Sequence, residues 1–290
     1  TSDGLLLGSY KHSGAVTCLD VNAQTTRLLA SIADHKCVLW DTQSGKSITE
    51  FHFETPVRCV QFAEGDKKFL CVTDASYGKI PAIHIFNLPK DAMESNDYDD
   101  RGKKHIPTLK ITQTEKITVA MWGPLNKTIV CGCVDGTVRL YDATSGNCLG
   151  QTKEHRGPVT KISLSKNKLL LITASQDNTA KLMHTLSLEV IKTYKSTEPV
   201  NTAVISPNKY HVILGGGTDA REVTTTLGKS IYFDSRFFHM VFEEEVGRIR
   251  GHFGPIHILA YSPDGRGFAS GGEDGYVRLH TFDKSYLQLD

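Results

Sequence analysis

The stretch GHFGPIHILAYSPDGRGFASGGEDGYVRLH, residues 251–280, decides the fold. It brings a histidine, a serine and an aspartate close together in the chain, as a catalytic triad would need. His252 stands 22 residues before Asp274, and Ser270 stands four residues before it. An active site usually occurs once in a chain, whereas a structural device recurs. The interpretation therefore depends on whether the same spacing is found elsewhere.

The spacing recurs in two other places. His12 precedes Asp34, and His155 precedes Asp177, by the same 22 residues. Six related apolar strings each lead to one aspartate, and these are Asp34, Asp74, Asp135, Asp177, Asp219 and Asp274. The repeat length is about forty residues, with insertions in two units. A histidine–aspartate spacing that is kept three times belongs to the fold, so no catalytic residue is predicted and the protein is not expected to be an enzyme.

Each repeat contains short runs rich in Val, Ile, Thr and Tyr, in which apolar and polar residues alternate. Turn sequences such as PDGRG, VDGT and EDGY separate the runs, which is typical of antiparallel strands joined by hairpins. Three strands and one linking strand, repeated every forty residues, predict an all-β protein of the β-propeller class. We expect one domain over residues 1–290 with six units, at about 11–46, 53–90, 112–147, 154–189, 197–245 and 251–283.

The repeated polar residues predict a structural hydrogen-bond network. An aspartate in the turn between the second and third strands can accept bonds from turn N–H groups and from the imidazole. A hydroxyl four residues before the aspartate extends the chain of bonds, and Trp40 can close it. The first unit has Ala30 at the hydroxyl position, and three units lack the histidine. The predicted network residues are His12, Asp34, Trp40, Asp74, Asp135, His155, Thr173, Asp177, His252, Ser270 and Asp274.

Composition narrows the classes of partner. Lys and Arg number 33 and Asp and Glu 32, a net charge of +1, so direct RNA contact is not expected. The apolar runs are too short to cross a bilayer, and no signal peptide is visible. The seven cysteines are an odd number and lie mostly in apolar runs, which indicates reduced, buried thiols in an intracellular protein.

Three short motifs resemble cofactor sites without meeting their requirements. LGKS at 227–230 has Val223 where a phosphate-binding loop needs glycine, and GGGTDA at 215–220 leads into a strand-like run rather than a helix. CGC at 131–133 lacks the further ligands that zinc requires, which favours core packing. No cofactor, metal or small-molecule substrate is therefore expected.

Two charged stretches leave alternatives open. Residues 91–107 carry an acidic block followed by a basic block, as a solvated loop or a partner-docking element would. The stretch FEEEVGRIR at 242–250 fits either an exposed edge strand or a protein-binding face.

Particular strings resemble known families. LWD at 39–41, LYD at 140–142 and GH at 251–252 resemble the WD-repeat family. The less common strings TASQDNTAKL (173–182), ILGGGTDAREVTTT (213–226) and RFFHMVFEEEVGRIRGHFGPI (236–256) resemble the i-subunit family of eukaryotic translation initiation factor three. This second resemblance extends over essentially the whole chain and is far more specific than the WD pattern.

The resemblance implies a seven-bladed propeller whose first blade precedes Thr1, with LLLGSY at 5–10 as its outermost strand. The alternative is a six-bladed ring in which that segment closes the last unit. It also implies a non-catalytic, cytoplasmic scaffold that binds a helical segment of the b subunit and associates with the g subunit. With the rest of the factor, such a scaffold supports pre-initiation complex assembly and scanning on the small ribosomal subunit.

The b-subunit helix is expected on the side of the propeller, near the units around 155–190 and 198–245. Motifs alone select no contact residue, but charged candidates in that region are Asp219, Arg221, Glu222, Glu243, Glu244 and Glu245. Two other classes of function remain open. A WD-repeat adaptor in a ubiquitin ligase or a signalling complex would differ only in its partner, and a propeller enzyme would need acids, histidines or metal ligands at the channel mouth.

Overall fold

The computed structural model describes residues 8–76, 78–88, 106–218 and 233–288. Within these ranges it contains six antiparallel sheets, and in each sheet the strands are neighbours in chain order. Helical structure in the same ranges is confined to a 3-10 turn at Pro124–Asn126 and to α1, Lys284–Gln288. The prediction of an all-β protein built from six repeated units is confirmed.

The first three sheets have four strands each. The first consists of β1 (Val16–Val21), β2 (Arg27–Ile32), β3 (Lys36–Asp41) and β4 (Ser47–His52). The second consists of β5 (Val57–Phe62), β6 (Lys68–Thr73), β7 (Ala82–Asn87) and β8 (Leu109–Thr112). The third consists of β9 (Ile117–Trp122), β10 (Thr128–Cys133), β11 (Thr137–Asp142) and β12 (Cys148–Lys153).

The fourth and fifth sheets have four strands each, whereas the sixth has three. The fourth consists of β13 (Val159–Leu164), β14 (Leu170–Ser175), β15 (Thr179–His184) and β16 (Val190–Lys195). The fifth consists of β17 (Val200–Ile205), β18 (His211–Gly216), β19 (Phe233–His239) and β20 (Glu245–His252). The sixth has three strands, β21 (Ile256–Tyr261), β22 (Gly267–Gly272) and β23 (Val277–Thr281).

The fourth strands fall at the ends of, or beyond, the units expected from the sequence. In the first sheet, for example, β4 begins at Ser47, after the predicted unit 11–46. The predicted units were placed on the aspartate-bearing hairpins, so the linking strands were left outside them. Of the segment expected to form an outermost strand at 5–10, the described part Gly8–Tyr10 is not in a strand, and the rest lies outside the described residues.

The turn between the second and third strands has a recurrent backbone geometry. The residue after the aspartate has a positive φ at His35 (70°), Gly136 (84°), Asn178 (66°) and Gly275 (77°). Glycine and asparagine adopt this left-handed conformation most readily. At Gly136 the glycine is also required by space, because a Cβ atom there would lie 2.3 Å from the carbonyl oxygen of His155.

The chain divides into two compact units, residues 1–133 with 139–149, and residues 134–138 with 150–290. In the first unit, a cluster including Leu39, Phe51, Phe69 and Phe86 packs the first sheet on the second. In the second unit, one cluster packs the fourth sheet on the fifth, and another packs the fifth on the sixth. The prediction of one domain over residues 1–290 stays a prediction.

A repeated irregularity joins neighbouring sheets within each unit. The pairing of the first two strands shifts register near the start of the first strand in all six sheets, as a β-bulge does. The side chains of Thr17 and Thr160 at these shifts donate to the carbonyl oxygens of Val57 (2.7 Å) and Val200 (2.9 Å) of the following sheet. The bulge therefore aims a polar side chain at the next sheet, so the irregularity contributes to sheet packing.

Candidate functional site

The fourth sheet contains a complete polar network of the predicted kind. His155 is buried, and its Nδ1 lies 3.0 Å from the carboxylate of Asp177, while its Nε2 lies 2.7 Å from Oγ1 of Thr173. The carboxylate also accepts from the backbone N–H groups of Arg156 (2.9 Å) and Thr179 (3.0 Å) and from the Thr179 hydroxyl. The network ties the start of the unit to the turn between β14 and β15.

The electrostatics of this network favour a neutral histidine beside an ionised aspartate. Burial lowers the pKa of His155 more than the neighbouring Asp177 raises it. Burial alone would raise the pKa of Asp177, but the hydrogen bonds from Thr179 and Arg156 outweigh it and the pKa is lowered. His155 then donates from Nδ1 to the carboxylate and accepts at Nε2 from the Thr173 hydroxyl.

The sixth sheet extends the network to a fourth member that the sequence pattern did not predict. His252 lies 3.0 Å from Asp274 through Nδ1 and 2.8 Å from Ser270 through Nε2, and Ser270 lies 3.2 Å from Nε2 of His280. His280 stands six residues after the aspartate, where the first unit has Trp40. The histidine at this position bonds the serine hydroxyl through its ring nitrogen.

Hydrogen bonds also lower the pKa of Asp274. Burial alone would raise that pKa, but the Phe253 N–H, the His252 ring, the Tyr276 N–H and Arg278 all bond the carboxylate. Arg278 Nη1 lies 2.9 Å from it. An ionised carboxylate therefore holds the turn between β22 and β23.

The first unit does not form the predicted network. His12 is only partly buried and makes no hydrogen bond to Asp34, whose carboxylate bonds the Ser13 hydroxyl instead. Trp40 packs edge-on against His12 with 5.2 Å between ring centroids, but its buried Nε1 has no hydrogen-bond partner. The prediction that Trp40 closes a chain of hydrogen bonds is wrong, because Ala30 offers no hydroxyl between the two rings.

The second and third sheets use other partners for their aspartates. Asp74 is buried and bonds Arg58 and Lys116, with Lys116 Nζ at 3.1 Å. Burial opposes ionisation of Asp74, but these two cations outweigh it and lower the pKa. Asp135 accepts from the N–H (3.0 Å) and the hydroxyl (2.7 Å) of Thr137. In the second sheet, basic residues thus bond the aspartate in place of a histidine. In the third sheet, the aspartate bonds Thr137 within its own turn.

The arrangement of His252, Ser270 and Asp274 differs from a catalytic triad in the surroundings of the serine. Ser270 is 1% exposed and lies between two imidazoles, so its oxygen has no free approach for a substrate. Among the described residues, no group of three or more His, Cys, Asp or Glu is placed to hold a metal ion. The polar side chains of the repeats are used in holding turns.

The two thiols of the CGC stretch lie in the core. Cys131 and Cys133 are fully buried in β10, with Gln113 Nε2 3.3 Å from Cys131 Sγ. Hydrogen bonding to Cys133 and burial raise the pKa of Cys131 well above its usual value. A thiol in this environment is neutral and unreactive.

The partner-binding candidates divide into two groups. Asp219, Arg221 and Glu222 lie outside the described residues, as do the VTTT and LGKS strings. Glu243 and Glu244 are exposed in the turn between β19 and β20, and Glu245 begins β20. Glu243 pairs with Lys192 of the fourth sheet, at 3.0 Å between Oε1 and Nζ.

Glu245 is bound within its own sheet. Burial opposes its ionisation, but hydrogen bonds from Arg236 and Arg248 outweigh this and lower its pKa. A carboxylate already held by two guanidinium groups contributes mainly to holding β19 and β20 together. Arg248 lies in the charged stretch 242–250 noted in the sequence, whereas Arg236 was not singled out, although it begins the 236–256 string that carries the family resemblance.

Apolar side chains stand beside the acidic turn of the fifth sheet. Tyr210, Val241 and Phe242 are exposed at 65%, 46% and 69%. The Met240 N–H donates to the Tyr210 carbonyl oxygen (2.7 Å), so the two turns that carry them are neighbours. We call Tyr210, Val241, Phe242, Glu243 and Glu244 the fifth-sheet patch. Clustered exposed apolar side chains rimmed by charge are typical of protein interaction sites.

The structural comparison defines the class of protein. The β-propeller domain of Cps50 (Swd1) from Myceliophteria thermophila superposes with a TM-score of 0.72 at 15% sequence identity, covering 94% of this chain and 85% of that chain. The fold is therefore a WD-repeat β-propeller, as predicted.

Sequence comparisons give the family. The family model EIF3I matches residues 1–290. Eukaryotic translation initiation factor 3 subunit I of Nematostella vectensis is 44% identical over 290 residues, 99% of this chain and 87% of that protein. The Homo sapiens protein of the same name is 41% identical with the same coverage. The chain belongs to the family of eukaryotic translation initiation factor 3 subunit I, so it is a translation initiation factor.

None of the described helices is both long and apolar enough to cross a membrane.

Proposed function

We propose that this chain is a non-catalytic scaffold subunit of eukaryotic translation initiation factor three. In this role it binds the b and g subunits in the cytoplasm and supports pre-initiation complex assembly and scanning on the small ribosomal subunit. The observation that carries the proposal is membership of the subunit I family along the whole chain. The polar residues of the repeats hold turns, which favours a scaffold over an enzyme.

The fifth-sheet patch supports docking of the b subunit on the side of the second unit. Phe242 stacks on His239 with 4.5 Å between ring centroids, which presents its ring on a supported base. Tyr194 donates to the Met240 carbonyl oxygen (2.7 Å), so the fourth sheet helps to fix the same turn. A helix with apolar and basic residues would match this surface, since apolar anchors supply affinity and charges set orientation.

The first test of docking uses capture of the b subunit by the intact protein. Phe242→Ala with Glu244→Lys should weaken capture at least tenfold, because an exposed aromatic anchor and a neighbouring charge are lost together. Asp219→Lys with Glu222→Lys tests the other candidates in the same assay. Glu115→Lys, an exposed acid in the first unit, is the control for the charge change. Unchanged capture by both double variants would overturn the placement, even if the b subunit still binds.

The second test concerns the proposed function as a whole. Mass spectrometry of proteins that co-purify with the intact chain should find the b and g subunits together. Their absence, with subunits of a ubiquitin ligase or a signalling complex in their place, would overturn the scaffold role in initiation. Near-balanced charge gives no reason to expect direct RNA binding, so nuclease treatment should leave the co-purification unchanged.

A further inference from the structure

A cleft in the first unit lies between the end of β4 and strands β7 and β8. Its walls include Phe53, Phe86 and His84, and Lys110 stands at its edge. We propose that this cleft, the His84 cleft, binds a tyrosine side chain carried by an acidic peptide segment of a partner protein. The proposal is independent of the b-subunit docking placed on the fifth sheet.

The walls provide a flat aromatic surface. The centroid of Phe53 lies 5.5 Å from that of His84 and 5.9 Å from that of Phe86, and the rings of His84 and Phe86 are stacked at 19°. Aromatic rings prefer edge-to-face and offset-stacked contacts at such distances. A fourth ring can therefore add to the cluster with favourable geometry and remove further apolar surface from water.

His84 has a buried ring nitrogen without a hydrogen-bond partner. The residue is 8% exposed, and its Nδ1 bonds no other group. Thr73 Oγ1 lies 3.3 Å from the Ala82 carbonyl oxygen and 3.0 Å from His84 Nε2. The hydroxyl either donates to Ala82 and accepts from Nε2–H, or donates to Nε2, so Nδ1 carries a lone pair in the first arrangement and a proton in the second.

Both arrangements leave Nδ1 without a partner. Burial, assisted by Lys110, lowers the pKa of His84 to about 4, so the ring is neutral near pH 7. Buried polar groups usually have a partner. A phenolic hydroxyl donates to a lone pair and accepts from an N–H, so a tyrosine side chain can bond Nδ1 in either arrangement while its ring packs on the aromatic walls.

The charges at the edge favour an acidic ligand. Lys79 Nζ pairs with Glu54 at 3.0 Å, whereas no described carboxylate pairs with Lys110. The lining thus carries two lysines against one glutamate. This positive excess disfavours a metal ion. Acidic residues next to the tyrosine would complement Lys110.

The exposed apolar rim favours a peptide over a small molecule. Ile80 and Ile106, which line the cleft, are exposed at 57% and 82%. A ligand that covers both must extend beyond one ring. A peptide can place its tyrosine against His84 while its neighbouring residues cover the isoleucines.

The test measures binding of a fluorescent peptide, Asp-Asp-Tyr-Asp-Asp, to the intact protein by anisotropy. The phenylalanine form of the peptide should bind roughly five- to tenfold more weakly, the fold-change expected for one hydrogen bond. In H84F this difference between peptides should disappear, because the ring nitrogen that bonds the phenol is gone while an aromatic wall remains. A thermal melt of H84F shows whether the variant is folded.

A second variant keeps the proposal testable if H84F does not fold. Lys110 is exposed, so K110E should fold, lose several-fold in affinity for the acidic peptide, and gain affinity for a peptide with lysines around the tyrosine. Lys195→Glu makes the same charge change on the fourth strand of another sheet and should leave binding unchanged. Equal binding of all peptides to the wild type, or no effect of K110E, would overturn the proposal.

The chain itself contains a tyrosine among acidic residues, Tyr98, outside the described residues. The variant Y98F separates binding in trans from occupancy by the chain's own segment. We expect Y98F to bind the peptide as the wild type does. A tenfold or greater gain in affinity on this substitution would mean that the occupant is internal, and would overturn the assignment to a partner protein.

Discussion

Removal of the Asp177 side chain should destabilise the protein far more than removal of Asp34, although the two hold the same place in the repeat. Asp177→Ala removes the acceptor of four hydrogen bonds, to His155 Nδ1, the Arg156 N–H, the Thr179 N–H and the Thr179 hydroxyl. The exposed Arg156 N–H can bond water in its place. His155 is 2% exposed and cannot, so its Nδ1–H is left with only the Thr179 hydroxyl oxygen, 3.3 Å away, as an acceptor.

The magnitude follows from these partners. Replacing the carboxylate acceptor of the buried imidazole by this longer contact costs about 1–2 kcal/mol, and the lost turn bonds add about 1 kcal/mol, so Asp177→Ala should lower the free energy of unfolding by about 2–3 kcal/mol. Among the described residues, the Asp34 carboxylate bonds only the hydroxyl of Ser13, which is exposed. Asp34→Ala should therefore lower the free energy of unfolding by under about 1 kcal/mol. Each aspartate precedes a residue in the left-handed conformation, and the two hairpins occupy equivalent places in the first and fourth sheets. The two substitutions therefore form a matched comparison.

Urea unfolding at pH 7, followed by circular dichroism, measures both changes. The slope against urea should stay the same, so that midpoints convert to free energies. Equal losses for the two variants, or a loss below about 1 kcal/mol for Asp177→Ala, would refute the argument that a buried imidazole makes the difference.

Three further predictions follow from the same polar contacts. Ala30→Ser places a hydroxyl near the unpartnered Nε1 of Trp40 and should stabilise the protein by about 0.5–1.5 kcal/mol in urea unfolding; no gain would show that the rings cannot reach it. Ser270→Ala removes the hydroxyl that bonds Nε2 of the buried His252 and Nε2 of His280, and should cost about 1–3 kcal/mol in thermal melts; an unchanged melting temperature would contradict this. The pKa of His84 is about 4 in the folded protein and 6.5 unfolded, so the unfolded chain binds more protons between these values. Stability should therefore rise by about 3 kcal/mol from pH 4 to 6.5 through this residue, and urea midpoints of His84→Phe across that range should lack this part of the rise.

The repeat predicted the fold because strand alternation and turn chemistry act locally. The aspartate marks the turn between the second and third strands, and the next residue takes the left-handed conformation that closes it. The fourth strands were expected, but they were left outside the predicted units because they carry no turn marker of their own. The linking strand β8, for instance, has only four residues and follows the insertion at 91–107.

The networks were predicted where all their partners are at repeat positions, and missed where a partner comes from elsewhere. The histidine, hydroxyl and aspartate of the fourth and sixth sheets have fixed spacings, so sequence sufficed. Lys116 reaches Asp74 from the segment before the next sheet, and no spacing within one unit could show this. The hydrogen-bond network expected at His12 and Trp40 is absent because Ala30 has no hydroxyl. Only the three-dimensional arrangement shows that no other hydroxyl bonds Trp40 Nε1 in place of the missing one.

The distribution of these networks separates residues that hold the fold from residues free to bind partners. Asp74, Asp177 and Asp274 each hold two or more donors, and substitution there changes stability before it changes recognition. Glu244 and Phe242 lie in a turn whose geometry is fixed by backbone bonds and by Tyr194, so their side chains can change without loss of the fold. A sequence motif built from repeat positions therefore identifies the propeller, whereas the proposed docking surface lies in turns outside the motif. Different residues accordingly carry the two resemblances. The strings around 236–256 carry the family resemblance, and the aspartates carry the WD-repeat character.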